Sequence, residues 1–297
     1  MKVTRILILG ASGMLGHKLF AELSRYENLD VYATVRRLDG LVQYFPPELL
    51  GKIHQNVDAN NFDTIVRAIA LTRPDLVINC IGIIKQVAAA RDSLTSIYTN
   101  ALLPHRIALI CQASATRMLH ISTDCVFDGR QGNYKENDIP NCVDLYGRSK
   151  LLGEVIYPHC LTLRTSIIGH ELKSRYGLIE WFLAQKNNIQ GYTRHIYSGF
   201  PTVALARIIA RYIIPQPDLN GLFHLASEPI SKYDLLKLVA IKYKKKIEIE
   251  PHDLVYCDRS LDSSRLQHCT GFSPSGWLEL IDEMHQDFLA TPYSGNE

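Results

Sequence analysis

A short apolar run, Arg5 to Leu9 (RILIL), leads straight into Gly10-Ala-Ser-Gly13-Met-Leu-Gly16, and nothing else in the chain constrains the fold as strongly. An apolar run of that length reads as a strand buried on both faces. Leu15, Leu19 and Leu23 then recur at helical spacing, which predicts a helix from about Met14 to Arg25. Glycines three apart between such a strand and such a helix suit a phosphate. Gly10 allows a tight turn, Gly13 lets the backbone approach a pyrophosphate, and Gly16 lets the helix pack closely on the strand. The helix N-terminus adds N–H donors and partial positive charge. A glycine-rich turn with no ligand is the plain alternative; the place directly after the first strand favours a dinucleotide. The contacts expected for it here are Gly10, Ser12, Gly13, Met14, Leu15 and Gly16.

The first two-thirds of the chain goes on alternating strand and helix. Strands are expected over Leu29–Val35, Lys52–Val57 (weakly), Leu76–Cys80, Arg117–Ser122 and Leu161–Thr165. Helices are expected from Asn61 to Pro74, from Ser93 to Ala113 and from Leu145 to Tyr157. Strands separated by helices imply right-handed crossovers and a parallel sheet covered on both faces. The fold class is therefore α/β, a Rossmann-type doubly wound parallel sheet with a smaller α/β C-terminal substrate lobe. Such sheets bind ligands at the carboxyl ends of their strands. The expected division is residues 1–165 for the dinucleotide and 166–297 for the substrate, with about 196–220 returning to the first domain. In the last third, helices are expected over Gly177–Lys186, Val203–Ile214, from Ser231 onward and over Trp277–Leu289, with short strands at Leu222–Leu225 and Ile247–Ile249.

Composition narrows the partners. Lys plus Arg is 32 and Asp plus Glu is 30, a formal charge of +2, which gives no reason to expect nucleic acid or an anionic membrane surface. The seven cysteines are scattered without a CxxC pair, so free thiols in a reducing compartment are expected and a metal site is not. The apolar stretch near the N-terminus is too short for a signal peptide, and no window approaches the ~18 apolar residues of a membrane helix. A cytoplasmic protein is the expectation.

Chemistry-bearing residues fall at the ends of the expected strands. Where an NAD site usually carries an acid, ~20 residues after the glycines, this chain has Arg36 and Arg37. A guanidinium there can oppose a 2′-phosphate bidentately, so NADPH is expected rather than NADH; two solvated arginines are the alternative, and Asp39 lies close. Asp58 and Ala59 follow the third strand, where Asp58 reaches for adenine or caps a loop. Cys80, Ile81 and Gly82 end the fourth, and Gly82 admits the cofactor to the backbone. Lys85 and Gln86 follow at the substrate mouth. Tyr146 and Lys150 are four apart on a helix and share a face. A lysine beside the phenol is expected to lower its pKa and fit it for proton transfer. In His120-Ile-Ser122-Thr123-Asp124, strand alternation sends Ser122 and Thr123 to opposite sides. Thr123 is the hydroxyl expected to face the cleft and a substrate carbonyl.

Taken in order, Gly10–Gly16, Asn79-Cys-Ile-Gly82, Ser122-Thr123-Asp124-Cys-Val-Phe-Asp128-Gly129, Tyr146-Gly-Arg-Ser-Lys150 and Leu163-Arg164-Thr165-Ser166 resemble the extended short-chain dehydrogenases. The resemblance is to the dTDP-4-dehydrorhamnose reductase branch. It covers about residues 3 to 215, and Asp258-Arg259-Ser-Leu-Asp262 resembles that branch's C-terminal motif. It implies catalysis by Thr123, Tyr146 and Lys150, with Tyr146 and Lys150 also touching the cofactor. It implies NADPH-dependent reduction of a nucleotide-linked 4-keto-6-deoxy sugar, in deoxysugar or surface polysaccharide synthesis. Lys85, Thr123, Arg194 and Arg259 are the residues expected to bind the nucleotide-diphosphate sugar, and a homodimer is an expectation. Cys125, where sugar dehydratases of the wider family carry glutamate, argues against 4,6-dehydration. The Ile83-Ile84-Lys85-Gln86 and Gly191–Thr202 stretches depart from the branch and leave the sugar open. An epimerase with tightly held NAD(P) and a non-catalytic regulatory subunit of the same fold remain as alternatives.

Overall fold

A computed structural model describes residues 3–86 and 91–293. Elements alternate as β1 (Thr4–Leu9), α1 (Met14–Leu23), β2 (Leu29–Thr34), β3 (Ile53–His54), α2 (Phe62–Thr72), β4 (Leu76–Asn79), α3 (Ser93–Ser96), α4 (Leu103–Ala113), β5 (Arg117–Thr123), α5 (Leu145–Leu152) and β6 (Cys160–Thr165). A π-helical segment, Ile97–Leu102, joins α3 to α4 in one continuous helix. Thereafter come β7 (Ile167–Ile168), α6 (Leu178–Ala184), β8 (Ile189–Tyr192), β9 (His195–Tyr197), β10 (Phe200–Pro201), α7 (Thr202–Ile208), β11 (Gly221–His224), β12 (Ile230–Ser231), α8 (Lys232–Lys242), β13 (Ile249–His252), β14 (Cys257–Asp258), α9 (Ser264–Thr270) and α10 (Trp277–Ala290).

The main sheet has seven strands in the order β11-β6-β5-β4-β1-β2-β3, parallel throughout. Successive side chains of β1 enter different layers, as a period of two demands. Ile6 and Ile8 pack with Leu19 of α1 and Leu205 of α7, while Leu7 and Leu9 pack with Ile65 of α2 and Ile107 of α4. Both faces are covered, which is why the strand reads as an unbroken apolar run. The order reverses between β1 and β4, and that reversal opens the crevice where such sheets take ligands.

The second part of the chain is not a separate bead. β11 extends the main sheet beside β6, and α7 packs on α1. The remaining strands form small sheets, β12-β9-β14, β13-β8 and β10-β7. Two elements are shorter than the sequence reading expects. α5 stops at Leu152, with Gly153 as its C-cap, instead of running to Tyr157. The third strand keeps only two residues, paired with Ala33 and Thr34 of β2 at the sheet's edge. Among the described residues no helix is long and apolar enough to cross a membrane.

Candidate active site

A cavity of about 500 Å³ lies at the carboxyl ends of β1, β2 and β4. Gly10, Ser12, Gly13, Arg36, Asp58, Ala59, Cys80, Ile81 and Gly82 line it, with Ile83 and Ile84 of the stretch that departs from the branch, and with Thr34, Asn60, Thr95 and Thr99, which the sequence reading did not single out. Gly10 turns at φ +86°, which favours glycine, and its N–H donates to Thr34 Oγ1 at 3.1 Å. A Cβ at Gly16 would stand 2.3 Å from the Gly10 carbonyl oxygen, so α1 can pack this close only with glycine there. Met14, Leu15, Gly16 and Arg37 are not part of the lining, and Leu15 is core.

The cavity fits a dinucleotide. α1 starts at Gly13 with no side-chain cap and no acid in its first turn, so its leading N–H groups are free to meet a phosphate. Arg36 is exposed at the rim, and among the described residues it carries no ion pair. Asp58 also holds its own loop, accepting the Asn60 N–H at 3.0 Å.

The proposed catalytic side chains meet beside this cavity. Thr123, the last residue of β5, is buried; its Oγ1 accepts the Cys125 N–H at 3.1 Å and donates to Asp124 Oδ1 at 3.2 Å. It also lies close enough to the Tyr146 phenol for the two to interact. Ser122 points to the other side and donates to Glu154 Oε1 at 2.7 Å, within a buried pair that Glu154 makes with Arg164. Lys150 is buried and donates to the Ile121 carbonyl at 2.7 Å. It lies close enough to Cys80, on the cavity wall, for the two to interact.

The electrostatics correct one expectation. Tyr146 is not lowered by Lys150: burial raises its pKa, and the neighbouring Cys125 adds to that, while Thr123 pulls the other way. Lys150 is itself lowered by burial, from 10.5 to about 8, partly offset by Glu154 and Cys80. Both groups feel the same cause, removal from water. The phenol therefore holds its proton at neutral pH. Burial likewise pushes the Cys125 thiol up to about 12, with Asp124 adding to the effect.

Substrate candidates separate. Arg259 is half-buried, donates to the Phe127 carbonyl at 2.8 Å and approaches Cys125 Sγ at 4.0 Å. Lys85 pairs with Asp144 at 3.2 Å, and Asp144 caps α5 by accepting the Gly147 N–H at 3.0 Å. Arg194 is exposed, with its guanidinium over the Tyr256 ring at 5.1 Å. Two motifs distant in sequence are knitted together. Asp258 N–H donates to the Gly129 carbonyl and Asp262 N–H to the Tyr134 carbonyl, each at 2.7 Å.

Three residues escaped the sequence reading. Lys232 opens α8 and, with Arg259, offsets the burial of Asp124. His195 joins them, driven down to about 4 by burial and then by those two cations, so it is neutral. Asn100, buried in the π segment, accepts from Ile83 N–H at 2.8 Å and donates to Ser149 Oγ at 3.2 Å, tying the cavity wall to α5. A polar residue in an apolar helix was the available signal, and π segments gather at functional sites.

A doubly wound parallel sheet, an uncapped glycine turn at its switch point and a Thr–Tyr–Lys group at the next strand end define an extended short-chain dehydrogenase. The chain belongs to the family described as RmlD substrate binding domain, whose model matches residues 4–289. It is similar to the dTDP-4-dehydrorhamnose reductase of Aggregatibacter actinomycetemcomitans, at 26% identity, covering 94% of this chain and 97% of the relative. It is also similar to methionine adenosyltransferase 2 subunit beta of Danio rerio, at 28% identity over 80% and 73% of the two chains. The fold matches a Bacillus anthracis dTDP-4-dehydrorhamnose reductase solved with NADP, with TM-score 0.77 and 23% identity over 98% and 99% of the chains.

Proposed function

We propose that the protein reduces the keto group of a nucleotide-linked 4-keto-6-deoxy sugar with NADPH. The observation that carries this is Thr123 beside the Tyr146 phenol, with the buried Lys150 of the same helix close to Cys80 on the wall of a cavity that fits a dinucleotide. The chain is an NAD(P)-dependent oxidoreductase. NADPH in particular is supported by Arg36 at the cavity rim, which has no ion pair among the described residues and whose guanidinium can meet a 2′-phosphate.

A bound reduced nicotinamide supplies the hydride. As charge develops on the substrate oxygen, Tyr146 gives it the phenol proton, and the raised pKa keeps that proton available. Lys150, cationic at neutral pH, donates to the Ile121 carbonyl and lies by Cys80 on the cavity wall, where it suits the ribose of the cofactor. Thr123 orients the carbonyl through its hydroxyl. Arg259 and Lys232, on the C-terminal side, suit the substrate diphosphate.

The methionine adenosyltransferase subunit among the relatives is the reason to weigh a binding role on this fold. The intact Thr123–Tyr146–Lys150 group favours catalysis. The deciding experiment offers the protein a panel of nucleotide-linked 4-keto sugars and follows NADPH absorbance. Stoichiometric oxidation with one of them is expected. NADPH binding without turnover on any would put the binding-subunit reading ahead.

A further inference from the structure

The two residues after Gly16 are His17 and Lys18, and both are buried, at 2% and 3% exposure. Neither lines the cavity. His17 Nδ1 lies 2.9 Å from the Gly13 carbonyl oxygen, which also accepts the His17 backbone N–H at 3.2 Å. A carbonyl only accepts, so Nδ1 carries the proton. Burial, then Lys18, hold the ring neutral, with its pKa near 3, so Nε2 is an acceptor. It is 3.2 Å from the Tyr293 hydroxyl, whose one proton is shared with Asp287 Oδ2 at 3.3 Å. Lys18 Nζ completes the set, donating to Asp287 Oδ1 at 2.6 Å and Thr291 Oγ1 at 3.1 Å. The segment from Asp287 to Tyr293 is thus bonded to the first turn of α1, although some 270 residues separate them in sequence.

Gly13 and Met14 share one peptide unit. In a trans peptide the C=O and N–H point in opposite directions. Two donors from His17 fix the Gly13 carbonyl toward the helix, so the Met14 N–H is fixed away from it, at the uncapped end of α1. We propose that His17, braced by Tyr293, is a positioning residue that sets the peptide after Gly13, on the cavity wall, and so turns the leading N–H groups of α1 toward the dinucleotide pyrophosphate. The inference rests on the dinucleotide reading of the glycine turn. It makes dinucleotide affinity depend on the far end of the chain. A merely structural network would hold α10 against α1 and leave affinity alone.

The test measures NADPH dissociation constants by nicotinamide fluorescence, beside a thermal melt, for the full chain and three variants. His17→Leu removes the donor to Gly13 and should raise the constant about 5- to 10-fold, the equivalent of one lost hydrogen bond. His17→Gln, which keeps a donor on a flexible arm, should recover to within about threefold of the unmodified protein. Tyr293→Phe should weaken binding about threefold with little change in melting temperature. The Michaelis constant for the sugar nucleotide should stay put in all three. Unchanged NADPH affinity in Tyr293→Phe and His17→Leu overturns the proposal, and so does a loss in His17→Leu that glutamine does not relieve. If His17→Leu does not fold, Tyr293→Phe decides alone. No NADPH binding by the unmodified protein would instead sink the dinucleotide reading.

Discussion

Replacing Lys150 by methionine should stabilise the cofactor-free protein while disabling it. Lys150 falls from 10.5 to about 8, with burial as the largest cause. At ~1.4 kcal/mol for each pH unit, that is a penalty of ~3 kcal/mol on the charged folded state at pH 7. Methionine relieves it but leaves the Ile121 carbonyl without its 2.7 Å donor, a loss of ~1 kcal/mol. The net gain is ~2 kcal/mol, or several degrees in melting temperature for a chain of this size. The pH dependence has a definite sign. A lysine whose folded pKa is depressed destabilises most below that pKa, and the penalty fades as pH rises from about 8 toward 10.5. Thermal melts of both proteins without cofactor, at pH 7 and near pH 10, provide the assay. The variant should melt higher at pH 7, the gap should narrow in alkali, and turnover should be lost. A variant that melts no higher at pH 7, or a gap independent of pH, refutes the reasoning.

Tyr146→Phe should cut turnover ~10²–10⁴-fold, the range of a positioned acid, with NADPH affinity unchanged by fluorescence titration; Thr123→Val should cost less. Arg36→Ala with Arg37→Ala should weaken NADPH by ~1–3 kcal/mol and spare NADH, as calorimetry on both cofactors would show. Cys125→Ser should keep most activity, because a thiol held near 12 supplies no thiolate at neutral pH; a drop of several orders of magnitude, fold intact, would reveal a thiol step. Arg259→Ala should raise the Michaelis constant for the sugar nucleotide and leave NADPH affinity alone, and an unchanged constant would remove Arg259 from the site.

The central sheet was legible because parallel strands buried on both faces must be apolar throughout, as Ile6–Leu9 and Val77–Ile78 are. That Ser122 and Thr123 face opposite sides was legible from strand alternation, and Ser122 does turn to Glu154. Pairings without local pattern were not legible. β8 and β13 are four-residue strands nearly sixty residues apart, and no periodicity within either names its partner. The Tyr146–Lys150 spacing was visible, but the direction of the phenol's shift was not. Spacing says nothing of desolvation, or of Lys150 Nζ bending to the Ile121 carbonyl. His17 and Lys18 went unnoticed because a polar pair on a helix looks solvated until a distant segment covers it.

β11 carries a consequence for biosynthesis. It is the outer strand of the main sheet, hydrogen bonded to β6 from Gly221↔Leu161 to His224↔Arg164. β6 is buried along its whole length, yet its neighbour is made more than fifty residues later. At ~5–20 residues per second, the ribosome leaves that strand edge unpaired for several seconds, its backbone N–H and C=O groups open to edge-to-edge association with other nascent chains. Truncating the chain after Thr165 would make this exposure permanent. The first 165 residues therefore supply the residues that line the dinucleotide cavity, from Gly10 to Thr99, while leaving the β6 edge without its partner.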